Sequence, residues 1–482
     1  MFDVRPVGYL VGLMVMAVGA TMSLPLAVDL AEGRGHWPVF AESMILTCLT
    51  GGLVALACRN AAGPGLSIHQ AFLLTTTVWV TVPLFGALPF LLGETDLDLI
   101  DALFEAMSGV TTTGTTVIVG LDDLPGGLLL WRGLLQWLGG LGIVIVALVF
   151  LPEMRVGGMQ FFRSEGFDTF GKALPRTIDI SKGVLNVYVV LTIACTLAYL
   201  TLGMQVFDAT VHALTTVATG GFSTRDASFS GYPGGVQYAS VLFMILATLP
   251  FVRLMQGVQG HLRPLLADTQ VQTYLRWIGY AVLLTVLYEV AVTGWPSEAA
   301  MRARLFNTVS IFSGTGYGDG NVLAWGSFPF VVLIAVGAIG GCTGSTGCAI
   351  KIFRYQLMLR ALGQQARRIF YPSSVMVLRH EGRAVGDEVL NSVMLLFTVY
   401  ILSLGVFSVA LELTGLTVIE SITGAWTAIF NIGPAFGPAV GATGAVDGFP
   451  DMAKALMILA MLMGRLEILA VLVLLLPRFW QQ

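Results

Sequence analysis

The chain has 482 residues, 56% of them hydrophobic and only 11% charged, with a formal net charge of −4. A soluble globule of this length needs far more polar surface, so the composition excludes one and indicates an integral membrane protein with lipid around it and no nucleic-acid partner. Backbone groups in hydrocarbon must be bonded internally, so the apolar runs are read as helices of about 20 residues per crossing.

Ten such runs follow one another, near residues 7–30, 40–58, 70–92, 130–152, 183–203, 237–258, 274–294, 326–350, 389–411 and 453–477. The opening "MFDVRPVGYL" has one arginine, and the run it begins lacks a small-residue cleavage motif at its end. A retained first helix is therefore expected rather than a removed leader.

Between the third and fourth, fifth and sixth, seventh and eighth, and ninth and tenth runs lie segments too short and too rich in Gly and Thr to cross a membrane. They read "DALFEAMSGVTTTGTTVI" from Asp101, "DATVHALTTVATGGFSTRD" from Asp208, "ARLFNTVSIFSGTGYGDGN" from Ala303 and "ESITGAWTAIFNIGPAFGP" from Glu420. Each starts helix-compatible and then breaks into an extended stretch, and their alignment puts Gly114, Gly221, Gly316 and Gly433 in register roughly every hundred residues. The expected fold is an all-α polytopic membrane protein with four channel-like repeats around one central pore. Each repeat is a transmembrane helix, a re-entrant pore loop and a second transmembrane helix. Two extra N-terminal helices occupy 1–65. The repeats occupy 66–160, 161–262, 263–362 and 363–482, with cytoplasmic linkers opening the second and fourth.

The side holding both termini collects most basic residues: Arg5, Arg59, Arg155, Arg163, Lys172, Arg176, Lys182, Arg253, Arg263, Arg276, Lys351, Arg354, Arg360, Arg367, Arg368, Arg379, Arg383 and Arg478. The other side has Arg34, Arg132, Arg225, Arg302, Arg304 and Lys454. Both termini are expected in the cytoplasm, and the four loops enter from outside. The outer side is acidic, with Glu94, Asp96, Asp98, Asp101, Glu105, Asp122, Asp123, Asp208, Asp226, Asp319 and Glu420 among its residues. Such a mouth concentrates cations, although acids also simply keep loops wet.

"FSGTGYGDG" around Gly316 resembles the TVGYG potassium filter, in which backbone carbonyls replace the shed water of the ion. Such a backbone needs glycine where a Cβ would clash. The residues expected at the ion path are Thr112, Thr113, Gly114, Thr219, Gly220, Gly221, Thr315, Gly316, Tyr317, Asn431, Ile432 and Gly433, with Thr115, Ala218, Phe222, Gly314 and Pro434 completing the segments. Asp101, Asp208 and Glu420 are candidate helix caps. "AIGGCTGSTGCAIKIF" from Ala338 has a small and polar stretch, Gly340 to Thr346, that breaks a helix at membrane depth. It is read as a movable loop or a static kink. Arg465 in "MGRLEIL" lies in the last run, where a charge is costly and by default functional. Glu467, two positions on, points elsewhere on a helix. The five cysteines form no CxxC, the histidines suggest no metal site, and no His/Asp/Glu constellation supports an enzyme.

Together "MSGVTTTGTT", "TTVATGGFST", "SGTGYGDG", "NIGPAFG", "GGCTGSTGCAIK" and "GRLE" resemble the TrkH/TrkG branch of the superfamily that includes KtrB and the plant HKT proteins. The resemblance spans essentially the whole chain. It implies gated uptake of K+, with K+ ions in the filter and rubidium as a surrogate, because Gly114 stands where sodium-favouring plant members have serine. It implies a homodimer in the bacterial inner membrane. It also implies an intramembrane gate over Gly340, Gly341, Gly344, Ser345, Thr346, Gly347 and Lys351, held across the pore by Arg465. A cytoplasmic TrkA-type subunit responding to ATP or NAD is implied as partner. This chain has no GxGxxG after a strand and no P-loop, so it is expected to bind no nucleotide itself. The end of the second repeat, "ILATLPFVRLMQGVQG", departs from the Asn/His-containing pattern expected there. The alternative mechanism is a proton- or sodium-coupled transporter rocking around a midplane site.

Overall fold

The computed structural model describes residues 3–61, 66–150, 158–159, 177–373 and 377–481. The expected boundaries at residues 65 and 160, and Arg155, Arg163, Lys172 and Arg176 of the basic count, lie outside the described residues.

Two N-terminal helices come first. Arg5–Glu32 runs as one span with a joint at Met22, and Trp37–Cys58 packs back along it. Small residues bring the two backbones together: a side chain on Gly8 would meet Cys58, one on Gly12 would meet Gly51 and Ala55, and one on Gly19 would meet Cys48. Cys48 and Cys58 therefore act as small filler at a close helix crossing.

The four repeats follow in chain order. The first has a span Ile68–Leu92, a pore helix Leu99–Val110 and a second span Gly126–Leu148. The second has Thr177–Thr201, the pore helix Val206–Val217, and Gly234–Ala247 followed by Phe251–Val258. The third has Thr269–Thr293, the pore helix Glu298–Ser313, then Ser327–Gly337 and Ile352–Phe370. The fourth has Asp387–Glu412, the pore helix Val418–Phe430, then Asp451–Arg465 and Leu469–Leu474. Local chemistry sets the starts. Ser67 with Gln70 and Thr417 with Glu420 form capping boxes, Asp98 and Ser297 accept from the first turns of their helices, and Pro125, Pro233 and Pro450 precede three second helices.

Ten spans were expected, the eighth with a break over Gly340–Thr346, and the structure shortens or bends three of them. Among the described residues seven helices are long and apolar enough to cross, or eight if the pair meeting at Thr248–Pro250 is taken as one. That pair is bent by 106°, because Pro250 supplies no amide and its ring clashes with the preceding turn. The expected span 326–350 keeps only 11 helical residues, Ser327–Gly337, roughly 16 Å against a core of about 30 Å. The expected span 453–477 stops at Arg465, where Glu467 and Ile468 turn to φ 60° and 45°. Hydropathy measures side-chain polarity and is blind to these backbone reversals. One short antiparallel hairpin, Arg379–His380 with Arg383–Ala384, is added to the helices.

The chain ends meet. Gln70 Nε2 donates to Asp3 O at 2.7 Å, and Phe479 lies against His69 and Phe72. Both termini thus sit at one end of the molecule, beside the start of Ile68–Leu92.

Candidate ion-conduction site

The four pore helices end alike. After Val110, Val217, Ser313 and Phe430 the backbone turns left-handed at Thr112, Thr219, Gly314 and Asn431, with φ of 52°, 51°, 74° and 51°. The next amide reaches back five residues in every case: Thr113 N–H to Ser108 O at 2.9 Å, Gly220 to Thr215 at 2.8 Å, Thr315 to Ser310 at 2.9 Å and Ile432 to Thr427 at 3.1 Å. This closure satisfies carbonyls that the helix end leaves open. One residue later Gly114, Gly221, Gly316 and Gly433 again take positive φ, at 87°, 79°, 85° and 115°.

These glycines form a closed ring in chain order. A Cβ on Gly114 would strike Gly220 O, one on Gly221 would strike Thr315 O, and one on Gly316 would strike Ile432 O. On Gly433 it would lie 3.0 Å from Thr113 O, which returns to the first repeat. All four glycines line a single cavity of about 700 Å³, together with Thr116, Arg132, Asp226, Asn307 and Asn321. The oxygens of Thr113, Gly220, Thr315 and Ile432 therefore lie against the neighbouring repeat's glycine.

Side chains buried behind the ring hold it. Thr115 Oγ1 donates to Gly433 O at 2.6 Å, and Asn431 Nδ2 donates to Thr113 Oγ1 at 2.9 Å and Met461 O at 3.0 Å. The first two of these bonds join the first and fourth repeats, and the third ties Asn431 to the second helix of its own repeat. The Tyr317 side chain points away from the ring: its hydroxyl meets Thr215, Thr216 and His212 O at 2.5, 3.0 and 3.1 Å, and its ring packs on Phe229 and Phe306.

The sequence reading counted Glu105 and Arg132 only as loose outer charges. They are a buried pair, Arg132 Nε to Glu105 Oε1 at 2.7 Å, and Glu105 also accepts from Val117 N–H while Arg132 donates to Ser223 O at 2.7 Å. Gln136 is a second residue that reading missed. The one legible signal was the pair of polar residues a turn apart in the otherwise apolar "LLLWRGLLQWLGG". Asp101, Asp208 and Glu420 all lie in the first turn of their pore helices, as expected. Glu420 closes a capping box with Thr417, Asp101 also pairs with Lys454 at 2.6 Å, and Asp208 also holds the loop after its own pore helix through Thr224, Arg225 and Tyr232.

Beyond the ring, Ala338–Lys351 leaves the helix, with positive φ at Gly340, Gly344, Ala349 and Lys351. The break is longer than the expected Gly340–Thr346. Its polar groups find partners in the bend of the second repeat: Cys342 N–H donates to Thr248 O at 3.0 Å, Thr346 Oγ1 donates to Ala247 O at 2.9 Å, and Gly344 O accepts from Phe251 N–H at 2.9 Å. Gly341 and Gly347 lie where any Cβ would press on Thr248, and Gly344 lies against Leu148. Gln270 Oε1 accepts from Thr343 N–H at 3.0 Å, and Ser345 Oγ donates to Cys342 O at 2.7 Å. Cys348 approaches the end of the first pore helix, next to the glycine ring, with its Sγ 3.8 Å from Thr112 Oγ1.

Arg465 and Glu467 diverge as expected. Arg465 Nη1 faces Thr346 O at 3.4 Å and Cys348 Sγ, whereas Glu467 takes Arg354 Nη2 at 2.6 Å. Lys351 is buried at the end of the loop. Past it, Glu381 of the hairpin accepts from the Thr269 N–H at 3.2 Å and hydroxyl at 2.6 Å, beside Gln270. Burial alone would raise the Glu381 carboxyl, but the bonds from Thr269 bring it below its usual range.

Residues 36–482 match the family described as TrkH, cation transport protein. The Trk system potassium uptake protein TrkI of Halomonas elongata is 38% identical over 96% of this chain and 94% of its own length. The Trk system potassium uptake protein TrkH of Escherichia coli K12 is 33% identical over 99% of both chains. The crystal structure of the potassium transporter TrkH from Vibrio parahaemolyticus superposes with a TM-score of 0.91 at 30% identity, covering 99% of this chain and all of that one.

Proposed function

The chain belongs to the TrkH family of cation transport proteins, and from that premise we propose that it is the gated, K+-selective pore of a Trk potassium uptake system. The observation that supports this reading best is the ring of Gly114, Gly221, Gly316 and Gly433, closed in chain order around one cavity. K+ ions bind there as cargo after losing water to backbone oxygens. The inward-negative potential drives uptake without a fuel, at about 2.3 kcal/mol per unit charge per 100 mV.

The gate is the loop Gly340–Lys351. Its contact with Thr112 through Cys348, and the reach of Arg465 to Thr346 O, support a barrier directly beyond the filter. Two chains form a homodimer in the bacterial inner membrane, with both termini cytoplasmic. A TrkA-type cytoplasmic subunit that binds ATP or NAD moves the gate, and this chain binds no nucleotide. The test is flux into liposomes holding the purified chain, with potassium and sodium gradients of equal size. Potassium flux that follows an imposed voltage and exceeds sodium flux supports the proposal. Flux that requires a proton or sodium gradient would instead identify a coupled transporter. Growth of a potassium-uptake-deficient bacterium at low potassium, with and without a cognate regulatory subunit, tests the partner.

A further inference from the structure

The helix Gly126–Ile145 of the first repeat carries Arg132 and Gln136 one turn apart. Both face the filter segment of the second repeat. Gln136 is fully buried; its Nε2 donates to Gly220 O at 2.6 Å, and its Oε1 accepts from Phe222 N–H at 3.0 Å. Arg132 Nη1 donates to Ser223 O at 2.7 Å. Three backbone groups bracketing Gly221 are thus held by one helix of the neighbouring repeat.

Among the described residues, no other repeat has this clamp. Counted from the residue that caps each second helix, Arg132 and Gln136 stand seven and eleven places after Pro125. The matching positions are Ser240 and Met244 after Pro233, Leu333 and Gly337 after Gly326, and Met457 and Met461 after Pro450. None of these is an amide, with a donor and an acceptor on separate atoms that can reach two backbone groups two residues apart; Ser240 has a single short hydroxyl and the others are apolar. Among the described residues, Gly220 O is the one ring oxygen of its set of four that receives a side-chain donor.

We propose that Gln136 is a positioning residue that sharpens the discrimination of this pore between potassium and smaller monovalent cations. The proposal rests on reading the glycine ring as the selectivity filter. A smaller ion is coordinated well only if oxygens close in on it. A carbonyl held from behind, with the amide two residues on held by the same side chain, cannot tilt inward to follow. The second quarter of the ring is therefore stiff, and the pore keeps the spacing that suits the larger ion.

The test uses the full chain in liposomes and reads the ratio of potassium to sodium flux. Gln136→Leu and Gln136→Met remove both bonds at similar volume, and either is expected to lower the ratio roughly tenfold, the scale of one lost net hydrogen bond. Trp137→Phe, which gives up a bond to Thr192 on another face of the same helix, is expected to leave the ratio unchanged. Gly114→Ser is measured in parallel. An unchanged ratio in either Gln136 variant, eluting and melting as the wild type does, overturns the proposal. If Gly114→Ser lowers the ratio while the Gln136 variants do not, the filter reading stands and the role of Gln136 falls; if none lowers it, both fall.

Discussion

A single added carbon tests each quarter of the filter differently. At Gly114, Gly221 and Gly316 a Cβ falls on the next repeat's carbonyl, whereas at Gly433 it stops 3.0 Å short of Thr113 O. All four positions have positive φ, so every substitution is strained, but the first three also push an oxygen of the ring much harder than the fourth does. Gly114→Ser is expected to reduce the ratio of potassium to sodium flux about tenfold, and Gly433→Ala to reduce it less, since there strain of about 1–2 kcal/mol is accompanied by a far smaller displacement of the neighbouring oxygen. Equal losses in liposome flux would show that strain, not the ring contact, sets selectivity. On the proposed reading of the loop as gate, Arg465 acts by charge. Its Nε and Nη2 have no hydrogen-bond partner among the described residues and it is buried beside the loop, so on that reading it would repel cations from the barrier as well as bond it. Arg465→Ala is expected to raise resting potassium flux by on the order of tenfold at an unchanged ion ratio; flux at the wild-type level would remove Arg465 from the gate. The glycines were legible in the sequence because four copies share one register. The Glu105–Arg132 pair was not, because charges distant in the chain are read singly.

At the scale of elements, the second helices of the second and fourth repeats are the part the sequence hid, whereas that of the third was partly legible. Gly340–Thr346 announced its break through a run of small residues. The bend at Thr248–Pro250 lay inside an apolar run, and the reversal at Ile468 uses a β-branched residue in a conformation such residues avoid. The hidden bend does the holding: it turns Ala247 O and Thr248 O toward the loop, and Pro250 leaves Phe251 N–H free to take Gly344 O. The first helix of the third repeat holds the other side, through Gln270 and Thr343. Gln270→Leu removes that bond and leaves a buried amide unpaired, a loss of about 1–3 kcal/mol from the loop arrangement described above, which on the proposed reading obstructs the pore. It is expected to increase resting flux about fivefold or more while leaving the ion ratio alone, because Gln270 touches the loop and not the ring. A changed ion ratio with unchanged resting flux would mean that loop and filter are not separable elements.

For the whole molecule, the N-terminal pair reads as two surplus spans in the sequence but serves as a brace. Asp29 and His36 are buried against each other at 2.7 Å, and the other Asp29 oxygen accepts from Gly127 N–H at 2.7 Å. Glu32 accepts from Gly126 N–H at 3.1 Å. Gly126 and Gly127 open the helix that carries Arg132 and Gln136, so the extra pair caps the strut on which two quarters of the ring depend. A side chain on Gly127 would collide with the Asp29 carboxylate, which explains the glycine there. Asp29→Ala uncaps one amide and leaves His36 without its partner, at a cost of about 2–4 kcal/mol. In a chain of 482 residues such a loss corresponds to a melting shift of only a few degrees, of the order of 2–5 °C. Asp29→Ala is therefore expected to melt earlier in detergent while conducting potassium with wild-type selectivity once reconstituted. Altered selectivity at an unchanged melting temperature would make the N-terminal pair part of the filter assembly rather than its support.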